Sequence, residues 1–216
     1  MNDRTKLVRT NAPRRELNKR IALRRLIHAS IRLILAGEDP LAVQLMLQSA
    51  DKVQRDLLRI RRLDDLFAFD AVVSQEHRNE FFSIYREVAN FLKHADEDAE
   101  QTISTYQLVL LNDILTIASI VRYHQLYDHT SRHMRLFLSY AVAAHPTFLD
   151  WAKFGNDFAN ILSLIHAESG LVTRAEMLAS INASLSTEIS LRAEREADVE
   201  EATEFGRRTL PLRIEE

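Results

Sequence analysis

No cysteine occurs among the 216 residues. Disulfides and thiolate metal sites are therefore excluded, and a cytoplasmic location is the expectation. Glycine and proline number four each, too few for a turn-rich sheet protein and suited to long helices with short connections. No apolar run reaches the roughly eighteen residues that a membrane helix needs, so no membrane partner is expected. The start of the chain has no apolar segment of the secretory kind. Sequence patterns for common catalytic chemistries are absent too. There is no glycine-rich phosphate loop, no G-x-S-x-G and no H-E-x-x-H. No E-x-x-H occurs, which removes the helical di-iron class. His129 and His133 are four apart, as two ligands on one helix would be, but no third ligand has a matching spacing. No metal and no cofactor are expected.

What is present is apolar periodicity and an uneven distribution of charge. Apolar residues make up 46 % of the chain, enough for a sizeable core. Residues 1–25 carry nine Lys/Arg and two acids, whereas residues 188–216 carry nine acids and five Arg. A solvated basic start and acidic end is one reading. The other is a basic surface for an anionic partner, opposed by an acidic tail. Composition divides the chain into a flexible basic arm over 1–13, one helical domain over 14–186, and a charged peripheral helix and tail over 187–216.

The fold class expected is all-α, a helical bundle built on two long antiparallel helix pairs, 14–36 with 40–64 and 75–95 with 102–126. Leu23, Leu26, Ile27, Ile31 and Ile34 form the stripe of the first helix, with Arg25, His28 and Arg32 on its far side. Gly37 stops it, and Asp39-Pro40 restarts the chain as N-cap and N1. The second helix is expected to bury Val43, Met46, Ala50, Val53, Leu57 and Ile60, with Arg55, Arg59 and Arg62 outside. Residues 65–73 break the pattern and read as a loop pinned by Leu66, Phe67 and Phe69. Ser74 is the expected cap of the next helix. Thr102 to Leu126 is apolar nearly all round, which marks a central helix. Asn112-Asp113 interrupts it, either as a satisfied pair or as a buried carboxylate paired with Arg86 or His94. Further helices are expected over 131–144, from Pro146 to about His166, and after the capping box Thr173-Arg174-Ala175-Glu176.

Chemistry is hinted at in one place. Arg86, Asn90 and His94 recur at i, i+4 and i+8, so they share one stripe of a helix. A histidine that deprotonates a ribose hydroxyl and an arginine that stabilises the phosphate are sufficient for metal-free RNA cleavage. A solvated polar face has the same spacing. The arginine stripes Arg25/Arg32 and Arg55/Arg59/Arg62 are candidates for tracking nucleic-acid phosphates, although no aromatic platform is interleaved with them.

Y-R-E-V-A-N-F-L-K-H-A-D resembles the motif helix of HEPN-domain proteins, R-N-x-x-x-H. Asn90 and His94 match it. Ala89 stands where the arginine would be, and Arg86 lies one turn earlier. Ala89 to Asp96 (A-N-F-L-K-H-A-D) is also similar to a group of uncharacterised bacterial proteins with an A-N-F-F-K-H-A-D stretch after a comparable hairpin. The resemblance covers roughly residues 20–130. The HEPN resemblance implies an all-α homodimer and, as the alternative function, a metal-independent endoribonuclease of the toxin–antitoxin or phage-defence kind; with Ala89 in the arginine's place, the function expected first is a non-catalytic module that binds a protein or nucleic-acid partner such as RNA.

Overall fold

The computed structural model describes residues 17–91, 100, 102–150 and 173–186. The basic arm, His94, the segment holding Trp151, His166 and Gly170, and the charged tail lie outside the described residues. Seven helices and no named strand occur among those described: α1 (Lys19–Ala36), α2 (Pro40–Arg61), α3 (Phe69–Val72), α4 (Arg78–Phe91), α5 (Thr105–Tyr127), α6 (Arg132–Ala144) and α7 (Arg174–Ser186). The all-α expectation holds. No helix among the described residues is long and apolar enough to cross a membrane.

Local chemistry sets the α1–α2 hairpin. The Asn18 side chain caps α1 by accepting from Ile21 N at 2.9 Å. Gly37 closes it with φ 70°, and the N–H groups of Gly37 and Glu38 donate to the carbonyls of Ile34 and Leu33. A β-carbon at residue 37 would meet nothing, so the backbone angle, not crowding, favours glycine there. Asp39 then caps α2 through Leu41 N at 2.8 Å, with Pro40 in the first turn. The three-residue connection and the extensive α1–α2 contact fix an antiparallel pair. The second helix ends at Arg61, a few residues before the expected limit, with Arg62 left-handed at φ 57°.

The face that α2 buries differs from the one its apolar spacing marks. Val43 and Ala50 are inside, but so are Gln44, Leu47, Asp51, Gln54 and Leu58, while Ile60 is 72 % exposed. The reason is that the inward polar groups find partners on α5. Gln54 Nε2 donates to the Ser119 carbonyl at 2.7 Å, and Asp51 meets Arg122. Once satisfied, polar side chains compete with apolar ones for the seam.

Helix α5 is central, as its apolar character requires. Ile114, Ile117, Ala118 and Ile120 are inaccessible to solvent. Its broadest contact is with α2, followed by α1; α4 also lies against α5, more thinly. Helix α4 starts at Arg78 and not at Ser74. The chain before it is held extended by an antiparallel bridge between Val73 and Leu149, with Ser74 N donating to Phe148 O at 2.9 Å and Asp150 N to Val72 O at 2.8 Å. The same bridge keeps residues 146–150 out of the helix expected from Pro146. Phe67 and Phe69 are buried against the core, as a pinned loop requires, but Leu66 is 62 % exposed. Ser131 caps α6 through Met134 N. Thr173 and Glu176 form the expected box, Thr173 N donating to Glu176 Oε2 at 2.8 Å and Glu176 N to Thr173 Oγ1 at 3.3 Å.

Candidate functional site

The stripe on α4 is placed as its spacing requires where it can be followed. Arg86 and Asn90 are both exposed. Arg86 Nε donates to the Phe82 carbonyl of its own helix at 3.0 Å. His94 lies outside the described residues. The expected pairing of Asp113 with Arg86 is replaced by another. Asp113 is 0 % exposed, and its oxygens accept from Tyr140 Oη, from His145 Nε2 at 3.0 Å, and from Arg174 Nε and Nη2 at 3.2 and 2.9 Å. Its partners come from α6, the turn after it, and α7, because those elements close over this side of α5.

The arginine stripes are not uniform. Arg25 and Arg32 are half-buried, and neighbouring Arg24 is nearly inaccessible. Arg55 Nη2 pairs with Asp51 at 2.6 Å and also reaches Tyr85, and Arg59 Nη2 pairs with Asp56 at 3.0 Å. Arg62 is exposed at the end of α2. Much of this charge is thus met within the protein. His28 is not on a solvated far side. It is buried, since α6 and α7 as well as α2 and α5 pack around α1.

Among the described residues, three buried polar clusters carry the interior chemistry. The first is Arg122, 1 % exposed on α5. Its Nη1 donates to Asp51 Oδ1 at 2.6 Å, its Nε and Nη2 grip Asp65 at 2.9 and 2.7 Å, and Nη2 also donates to the Phe67 carbonyl at 3.0 Å. It stacks over Phe69 at 5.2 Å. One guanidinium thereby ties α5 to α2 and to the loop before α3. The second cluster is Asp113 with its four donors. Burial opposes ionisation of Asp113, but hydrogen bonds from His145 and Arg174 outweigh it and hold the carboxyl below its ordinary range. Burial and the adjacent carboxylate push the Tyr140 hydroxyl well up. A carboxylate saturated with donors, beside a phenol kept protonated, is a clasp and not a base–nucleophile pair. In the third cluster His28 Nε2 and Ser131 Oγ share a hydrogen bond of 2.7 Å, and the His133 ring lies 5.1 Å from that of His28. No group of three metal-ligating side chains is assembled among the described residues.

No family model, curated protein or solved structure matches the chain. Two of these clusters leave a sign in the sequence: Asp113 and Arg122 are the carboxylate and the guanidinium inside a largely apolar central helix, and each implies a buried counter-charge. The partners in all three lie far apart in the chain.

The His28 cluster predicts a pH dependence of stability. Burial first, then the charges of His133, Arg32, Arg24 and His129, push the His28 pKa well below its ordinary 6.5. The unfolded chain therefore binds a proton that the fold refuses. Stability is full above the unfolded value and is lost as pH falls below it, with a slope approaching about 1.4 kcal/mol per pH unit for one proton. Urea melts from pH 7.5 to 5.5 check this. His28→Gln should flatten the curve, and a wild-type midpoint that does not fall on acidification would refute it.

Proposed function

We propose that the chain is a HEPN-like, non-catalytic helical module that works as a cytoplasmic homodimer and binds a nucleic-acid or protein partner. The observation that carries this reading is where the polar chemistry resides. Asp51, Asp65, Asp113, Arg122 and His145 are engaged in seams between helices. Arg86, the side chain that would stabilise a cleaving phosphate, is tied to its own helix by the Phe82 carbonyl. The missing arginine at Ala89 supports the same choice over the endoribonuclease.

The test combines mass with activity. Light scattering at micromolar concentration should give twice the 24.9 kDa of one chain. Single-stranded RNA incubated with purified protein and a chelator should remain intact. Cleavage that His94→Ala abolishes in a folded variant would replace the module by the endoribonuclease, since loss of a general acid or base costs about 10²–10⁴ in rate. A monomeric mass would remove the dimer from the reading.

A further inference from the structure

The antiparallel hairpin brings the basic start of α1 beside the basic end of α2. The two meet at the last turn of α5, on Tyr127. The Arg61 guanidinium lies 5.1 Å and that of Arg20 lies 5.9 Å from the centre of the Tyr127 ring. The charges of Arg24 and Arg20 also act on the Tyr123 hydroxyl. Among the described residues, the charges acting on the Tyr127 hydroxyl are both cationic, Arg61 first and then Arg20. Arg61 is exposed, donates to the Leu126 carbonyl at 2.5 Å, and forms no ion pair with a carboxylate among the described residues. Exposed Lys19 and Arg62 flank the group. The acids in this corner are Asp65, which Arg122 holds, and Asp64 and Asp128, both exposed. The opposite end of the hairpin carries Glu38 and Asp39.

We infer that this corner, Arg20, Arg61, Arg62 and Lys19 around Tyr127, is a docking surface for the phosphate backbone of a single-stranded nucleic acid. The inference rests on reading the chain as a binding module and names its partner class. Like charges held together around an aromatic ring are favourable next to a phosphate and unfavourable without one. Guanidinium forks match phosphate oxygens. The sites assigned from spacing alone, Arg55 and Arg59, have carboxylate partners, whereas Arg61 has none among the described residues.

Fluorescence anisotropy of a labelled single-stranded RNA of mixed sequence tests this on the full chain. Wild type should bind, with affinity falling steeply between about 50 and 200 mM salt. Arg61→Ala should weaken binding at low salt and reduce the salt slope by about 0.7, the value for one single-strand phosphate contact. Lys19→Gln combined with Arg62→Gln should reduce it by about twice that; both side chains are exposed, so the fold is expected to survive, which circular dichroism checks. Lys52→Ala, on the same helix but outside the corner, should leave the slope unchanged. Unaltered binding in both corner variants would overturn the surface while leaving the module intact. Equal binding to polyglutamate would overturn the nucleic-acid assignment in favour of an acidic protein partner. No binding to RNA at low salt would also overturn it, whereas cleavage of the RNA would overturn the module reading instead.

Discussion

Arg122→Ala is expected to lower stability by about 3–5 kcal/mol, the cost of removing one member of a buried ion network. The magnitude follows from what the substitution leaves behind. Asp51 is buried and Asp65 partly so, and between them they accept four of the bonds that the guanidinium donates. Arg55 still reaches Asp51 at 2.6 Å from the exposed side, and the Phe67 N–H still donates to Asp65 Oδ1 at 3.0 Å, so both carboxylates are only partly compensated. The Phe67 carbonyl also loses a donor, and the Phe69 ring loses its stacked cation. In a chain of this size about 1 kcal/mol moves the thermal midpoint by 2–4 °C, so the midpoint should drop by on the order of 10 °C. Arg122→Met made together with Asp51→Asn and Asp65→Asn removes all three charges and should recover a large part of the loss, because no buried charge is then stranded. A single-variant shift below about 2 °C, read by circular dichroism, would mean that the network is not an anchor.

How far the sequence could be read differs between local and distant chemistry. The caps at Asp39, Gly37 and Thr173 were legible because each is settled within a few residues. The central place of α5 was legible because more than ten apolar residues, spread all round the helix, leave no polar face. The inward face of α2 was not. Hydrophobic spacing assigns Ile60 inward and passes over Asp51 and Gln54, yet Ile60 is exposed and the two polar side chains are buried, because their partners Arg122 and Ser119 stand 71 and 65 residues away. The start of α4 was displaced by the bridge from Val73 to Leu149, which no local pattern announces. The candidate site divides the same way. Arg86 and Asn90 share an exposed face, as simple helical periodicity requires. Asp113 was recognisable as a candidate for burial, but its partner was not, since Arg174 lies 61 residues downstream on another helix.

Asp113→Asn is expected to release α7 from the body of the fold. Arg174, in the first turn of α7, is the only residue of that helix bonded to Asp113, and it does so through two nitrogens. An asparagine is neutral and offers one acceptor oxygen where four donors converge, so the half-buried guanidinium loses its counter-charge and Tyr140 and His145 compete for what remains. The cost is about 3–5 kcal/mol for a broken buried pair, reduced by whatever exposure Arg174 gains when α7 moves away. Amide hydrogen exchange over residues 174–186 should therefore accelerate more than exchange in α1 and α2, whose mutual seam does not touch this cluster. The sign of the pH effect is fixed as well. The folded carboxyl of Asp113 titrates below its ordinary 3.8, so its contribution is complete above that value and is lost as pH falls through the lower, folded one. Wild type and Asp113→Asn should differ most near neutrality and converge in strong acid. Arg174→Met provides the second arm of a double-mutant cycle, in which groups in direct contact couple by about 0.5–3 kcal/mol. Additive losses, or unchanged exchange over 174–186 in Asp113→Asn, would show that α7 is held by apolar packing of Leu178, Ile181 and Leu185 and not by the clasp.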